Sequence, residues 1–221
     1  RTPFLPDGKR LFTFSVNKEL LPVLKGAHVE YLPFAVNERR FRPMPEVKVE
    51  HPVGFIGTSL MGLHVDGMSF MERAGLGMAD IARIEDYPTR ETWQIMAGVR
   101  TSAEERIAAC QVAGASVWGD GWEHVKGVTN MGKTPFATTL PATINSCAVS
   151  LNVSRHIFPN DLCPRLFEVL ACGRPLVSNW LPGIEAEFGE VVTLCKTKDD
   201  LRFACEAAQD SENLKAAEIG R

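Results

Sequence analysis

Leu162–Trp180 reads LCPRLFEVLACGRPLVSNW, and three signals follow one another in it. Pro164 suits the first turn of a helix, where its missing N–H costs nothing. Leu166, Phe167, Val169 and Leu170 then form a broad apolar side at helical spacing, and Gly173 stops the run. Pro175–Asn179 follows as a short buried strand. A helix ended by glycine and followed directly by an apolar strand belongs to a βαβ unit. One residue resists this packing. On a helix over Leu162–Cys172, Glu168 shares with Arg165 and Cys172 the stripe opposite the apolar side. A carboxylate among apolar residues is costly unless it is paired or faces a wet crevice. The question of function therefore starts at Glu168.

Working outward, the same alternation repeats. Val53–Thr58 (VGFIGT), Ala115–Trp118, His124–Thr129, Val149–Val153 and Val191–Cys195 read as strands. Gly67–Ala115 is mostly helical in pattern, with a break near Tyr87-Pro88-Thr89 and with Thr101 or Ser102 as a cap. Thr138–Cys147 is a helix that admits Pro141 only in its first turn, and Gly183–Phe188 and Lys198–Gln209 are further helices. Strands that are near-continuous apolar runs, alternating with helices, predict a Rossmann-like, doubly wound parallel sheet covered on both faces. Leu11–Ser15 reads as a strand, Lys18–Lys25 as a short helix, and His28–Val36 as another strand or an extended segment. Asn37–Pro52 carries Pro43, Pro45 and Pro52 among charges, which suits a linker. Within it, Glu38-Arg39-Arg40-Phe41-Arg42 reads as a solvated turn. The division expected is 1–40 as the tail of an N-terminal Rossmann-like domain, 41–52 as linker, and 53–221 as a second Rossmann-like domain with a helical insertion over about 60–100.

Composition narrows the function classes. With 221 residues, 45% of them hydrophobic, the chain has the material for a globular core. A net charge of −3 speaks against nucleic-acid binding driven by counterion release. The longest apolar runs are strand-length, so no transmembrane segment is expected. The chain begins at Arg1 with no apolar h-region behind it, so no signal peptide is expected, and a cytoplasmic location follows as the expectation. Six cysteines fall in no CxxC spacing and several sit in apolar runs, as free thiols do. The histidines show no metal-ligand spacing, so no metal is expected.

In open α/β sheets ligands bind outside the carboxyl ends of the strands. That puts Ser154–Arg165 at a crevice. A helix N-terminus there offers N–H groups and a positive dipole end to an anion such as a diphosphate. Arg165 adds a fork for phosphate oxygens, and Glu168, one turn further, can accept two hydrogen bonds from a ribose diol. The alternative is an Arg165–Glu168 surface ion pair worth about 0.3 kcal/mol.

Ala148–Gly189, AVSLNVSRHIFPNDLCPRLFEVLACGRPLVSNWLPGIEAEFG, resembles the nucleotide-binding half of GT-B glycosyltransferases, and most of all the spore-maturation, CgeB-like branch. YLPFAVN at Tyr31–Asn37, VGFIGT at Val53–Thr58, WGDGW at Trp118–Trp122 and KGV at Lys126–Val128 match the same branch in order. The resemblance covers roughly residues 28–210. It implies a nucleotide-diphosphate sugar as donor, with Glu168 on its ribose hydroxyls and the loop before Arg165 near the diphosphate and sugar. It implies sugar transfer to an acceptor hydroxyl of unknown identity, no cofactor and no obligatory metal. It also places the catalytic base in the N-terminal domain. Gly57 and Thr58 match a strand end where backbone approaches the ligand, or are an ordinary βα turn, and Gly127 and Val128 resemble the place where backbone meets the base, or are a plain strand end. Many retaining members carry a second glutamate eight residues before the ribose-binding one; here that position is Asn160. Asn160 and Asp161 either bind sugar hydroxyls or serve as turn and cap residues.

Other readings stand beside this one. The same scaffold serves nucleotide-sugar epimerases, and a non-catalytic nucleotide-sugar-binding module would look alike. Gly127–Thr134, GVTNMGKT, has P-loop spacing, but Pro135 stands where the helix should open. Trp118 and Trp122 read as packing residues, and Asp199-Asp200 as a helix cap.

Overall fold

The computed structural model describes residues 12–15, 28–60, 102–135, 138–154, 160 and 162–219; for 12–15, 28–29 and 212–219 it describes the backbone alone. The expected helix over Lys18–Lys25 and nearly all of the expected insertion over 60–100 lie outside these residues. Strands β1 (Phe12–Ser15) and β2 (His28–Tyr31) pair in parallel, Phe12 opposite His28.

The main body is a six-stranded, all-parallel sheet. Its strands are β3 (His51–Ile56), β4 (Ser116–Trp118), β5 (Thr129–Asn130), β6 (Cys147–Asn152), β7 (Leu176–Asn179) and β8 (Thr193–Cys195). Their order across the sheet is β5-β4-β3-β6-β7-β8. Counted from β3 this is 3-2-1-4-5-6, the doubly wound Rossmann order. The chain starts at the centre, winds out to one edge through β4 and β5, and returns to wind out the other way through β6, β7 and β8.

Helix α1 (102–112) and α5 (Lys198–Ile219) cover one face. Ala109, Cys110, Leu201 and Cys205 pack there on Val53, Val149 and Val177. Helices α2 (Leu140–Asn145), α3 (Pro164–Ala171) and α4 (Pro182–Phe188) cover the other. Ile144, Leu166, Val169 and Ile184 pack there with Leu176 and Val192. β6 is buried along its whole length, as a central strand covered on both faces must be.

Three expectations need correcting. His124–Thr129 is not a strand: Trp122 and Val125 pack into the core, the chain turns at Gly127 with φ 79°, and the edge strand is only Thr129–Asn130. Glu38–Arg42 does turn, but Phe41 is buried with Leu166 and Val169 rather than solvated. Ser102 is the first described residue of α1 and its buried hydroxyl is unpartnered, so it does not cap the helix; Thr101, the other cap candidate, lies outside the described residues.

The segment before β3 is fastened to the body. Asn145 donates to the carbonyls of Arg42 at 3.1 Å and Pro141 at 2.9 Å, and accepts from the N–H of Met44 at 3.0 Å. That satisfies a buried amide on both sides. At the other end of the chain, Thr197 and Asp200 form a reciprocal capping box on α5, at 3.0 and 3.1 Å. Asp199-Asp200 is thus the helix start read from the sequence.

Candidate functional site

β3 and β6 are neighbours, but the chain leaves them toward opposite sides of the sheet. Between their carboxyl ends a crevice of about 350 Å³ opens. Gly57 and Arg106 line it from the β3 side, and Asn152, Cys163, Arg165 and Glu168 from the β6 side. This is the topological switch point, where doubly wound sheets bind ligands.

Glu168 is only 5% exposed, as buried in effect as Leu166 and Val169 on the same helix. The stripe opposite the apolar side is therefore not a solvent stripe, because Cys172 is buried as well. Arg165 Nη1 donates to Glu168 Oε2 at 2.5 Å. The ion pair given as the alternative exists, but it is not at the surface: the Arg165 and Glu168 side chains are 22% and 7% exposed. No described residue hydrogen-bonds Oε1, so the carboxylate keeps acceptor capacity on the crevice wall. Burial pushes its pKa above the ordinary glutamate range. The charge and hydrogen bond of Arg165, and the charge of Arg40, pull the other way without cancelling it.

The strand ends that frame the crevice are tied to one another. Gly57 N–H donates to the Trp118 carbonyl at 2.8 Å, and Trp122 Nε1 donates to the Gly57 carbonyl at 2.8 Å. Trp118 and Trp122 are buried, as packing residues should be. Ser59 N–H and the Thr58 hydroxyl both donate to the Asp120 carbonyl, at 2.9 and 3.1 Å. Gly119 N–H donates to the Gly132 carbonyl at 2.9 Å, which brings in the end of β5. On the β6 side a buried polar cluster sets the floor. Asn152 donates to the hydroxyls of Ser154 and Ser178, both at 2.9 Å, and accepts from the Cys163 thiol at 3.2 Å. Asn179 and Ser154 exchange hydrogen bonds at 2.8 and 3.1 Å. A cluster satisfied in this way is rigid.

The structure thus brings Gly57, Arg165 and Glu168 to the crevice, while Thr58, next in the chain, does not line it and turns its hydroxyl to the Asp120 carbonyl. Asn160 stands close to α4: a Cβ on Gly183 would lie 2.6 Å from Asn160 Cα and 3.0 Å from its carbonyl carbon. Asp161 lies outside the described residues. Gly127 and Val128 are not brought to the crevice. They precede β5, and in a parallel sheet that is the end away from it. Gln111, at the far end of α1, holds the Lys126 carbonyl beside them at 2.8 Å. The same stretch is no P-loop, because β5 runs through it, Lys133 pairs with Asp120 at the surface at 2.6 Å, and the next helix opens only at Leu140.

Gly183 gives a direct check on the Asn160 contact. Inside a helix, alanine is ordinarily favoured over glycine by about 1 kcal/mol. Gly183→Ala is instead expected to leave the melting temperature unchanged or lower, because Asn160 backbone must move. A clear rise in thermal melts would show that the contact is not tight.

Sequence reasoning missed Arg106, Asn152 and Cys163. Arg106 had a readable signal: it lies between Ala103 and Cys110 at helical spacing, and both of those are fully buried. An arginine on the packing stripe of a helix asks the same question as Glu168. A larger cavity, about 570 Å³, lies at the ends of β7 and β8 beside Trp180 and Lys196. Its walls are mostly apolar and it shares only Val153 with the crevice. Size alone does not make it the site: Glu105, Lys196 and Lys198 line it, but the two lysines are exposed, whereas the buried Arg165–Glu168 pair is at the switch point.

All six cysteines are free, and burial holds Cys147 and Cys205 up to about 12 and Cys172 up to about 11, so they stay protonated thiols. Among the described residues no group of three or more His, Cys, Asp or Glu is gathered as a metal site, and no helix is long and apolar enough to cross a membrane.

No curated protein matches the chain. Among solved structures it is similar to a sucrose-phosphate synthase from Thermosynechococcus elongatus, with 13% identity and a TM-score of 0.40. That match covers 95% of this chain and 57% of the synthase, so the chain spans little more than half the synthase's length. Residues 100–221, more than half of the chain and including β4 through α5, match the family described as glycosyl transferase-like. The chain belongs to the glycosyl transferase-like family.

Proposed function

We propose that this chain carries the donor-binding domain of a GT-B-type glycosyltransferase of the spore-maturation branch. It binds a nucleotide-diphosphate sugar at the switch-point crevice, and the intact protein transfers the sugar to an acceptor hydroxyl. The observation that supports this most is the buried Glu168 on the crevice wall, paired with Arg165 through one carboxylate oxygen while the other has no hydrogen bond from a described residue. A ribose diol supplies two donors and suits such an acceptor.

On this reading Arg165 and the N-terminal turn of α3 face the diphosphate, which needs positive charge as it leaves. Gly57 and Thr58 let backbone come close to the phosphates from the opposite wall. The base lies toward the ends of β4 and β5, and Asn160 and Asp161 lie toward the sugar. β1 and β2 are then the tail of the N-terminal Rossmann-like domain, which supplies the catalytic base. No metal is required.

The test is a thermal-shift panel with UDP, GDP, ADP and TDP on the wild type and Glu168→Ala. A nucleotide at about 100 times its Kd should add about 2.7 kcal/mol of stability. One nucleotide is expected to shift the wild type and to lose most of that shift in Glu168→Ala. No shift with any of the four overturns the donor-binding reading. An undiminished shift in Glu168→Ala overturns the ribose role.

A further inference from the structure

Arg106 reaches from α1 to the point where the two halves of the sheet part. Its Nη1 donates to the Thr58 carbonyl at 2.8 Å and its Nη2 to the Val153 carbonyl at 2.7 Å. Its guanidinium carbon lies 5.3 Å from the centroid of the Phe55 ring. Thr58 is two residues past the end of β3, and Val153 one past the end of β6. Beyond those ends no ladder hydrogen bond holds the strands together, and at a switch point the two chains lead away from each other. One planar fork spans the gap. Two donors in fixed relative geometry set a spacing that a single ammonium cannot set.

We propose that Arg106 is a positioning residue for the donor diphosphate: it fixes the width of the crevice between Gly57–Thr58 and Val153–Ser154. The inference rests on the nucleotide reading above. It acts on one part of the ligand. The ribose is held by Glu168 on α3, whose ion-pair partner is Arg165 and not Arg106. The phosphates lie between the backbone segments that Arg106 ties. A displaced wall should therefore weaken a diphosphate more than a ligand that ends at the first phosphate, and misplacement of about 1 Å is enough to change an interaction greatly.

The experiment measures, by calorimetry, the affinities of wild type, Arg106→Gln and Arg106→Lys for UDP, GDP, ADP and TDP and for the monophosphates of the same nucleosides. The wild type is expected to prefer one diphosphate over its monophosphate. Both variants are expected to lose about tenfold on that diphosphate, roughly 1.4 kcal/mol, and little on the monophosphate. The monophosphate is the internal control for folding, and Arg106→Lys decides the matter if Arg106→Gln does not fold. Lysine keeps charge and stem but cannot bridge two carbonyls, so a lysine variant with the wild-type preference overturns the proposal. So does an equal loss on both ligands, which would mark Arg106 as structural only. A wild type that binds neither ligand overturns the nucleotide reading and this inference together; a wild type that binds, with its preference kept in both variants, overturns this inference alone.

Discussion

Gly119→Ala is expected to be among the most damaging single-methyl changes in the chain, with a stability loss of about 3–5 kcal/mol. Two effects add. Gly119 has φ 143°, a region that L side chains rarely adopt. A Cβ there would also lie 2.3 Å from the Gly57 carbonyl oxygen and 2.6 Å from its carbon. Those are backbone atoms, and the Gly57 carbonyl already accepts Trp122 Nε1. Neither rotamer nor loop can give way without parting β3 from β4. Gly114→Ala is the control: its φ is also positive, 58°, but nothing lies within 4 Å of a Cβ built there. It should cost about 1 kcal/mol. Urea midpoints of both variants test this, and near-equal losses would mean that the approach of Gly119 to Gly57 is not what matters. Since Gly57 lines the crevice, the Gly119 variant should also lose its nucleotide shift.

Arg165→Met should cost about 3 kcal/mol near neutral pH, because it leaves the Glu168 carboxylate buried without its partner. The pH dependence distinguishes this from lost packing. Burial already holds the folded pKa of Glu168 above its unfolded value, and Arg165 is what limits the rise. Without Arg165 the folded pKa goes higher. Between the two values the native state binds more protons than the unfolded state, so stability falls as pH rises through that window. The deficit of Arg165→Met should therefore be small near the unfolded carboxylate pKa, about 4.3, and grow toward neutrality. Adding Glu168→Gln should remove most of it at every pH. Parallel stability curves for wild type and Arg165→Met, or a double variant as unstable as the single, would show that the buried charge is not the cause.

Glu168 was legible because its environment was local: a charged residue among apolar ones on eight residues of helix. Alternation of strands and helices was legible for the same reason. Strand order was not, because it depends on which β-ladders form across long stretches of chain, and periodicity carries no such information. The displacement of Gly127 and Val128 shows the limit at small scale. A motif in the right sequence order fell just before an edge strand of two residues, and so at the wrong end of the sheet. Arg106 shows a different limit. Its place on the packing stripe could be read, but its two carbonyl partners come from Thr58 and Val153, 48 and 47 residues away in opposite directions.

The segment fastened by Asn145 has a mechanical consequence. Arg42 and Met44 are gripped by one amide, and Phe41 is set among the side chains of the helix that bears Glu168. This stretch is a rigid shaft on the domain and not a slack tether. A pull on the chain ahead of Asn37 would therefore be borne by α3 through Phe41, on the same stretch as Arg40, whose charge helps to limit the rise of the Glu168 pKa.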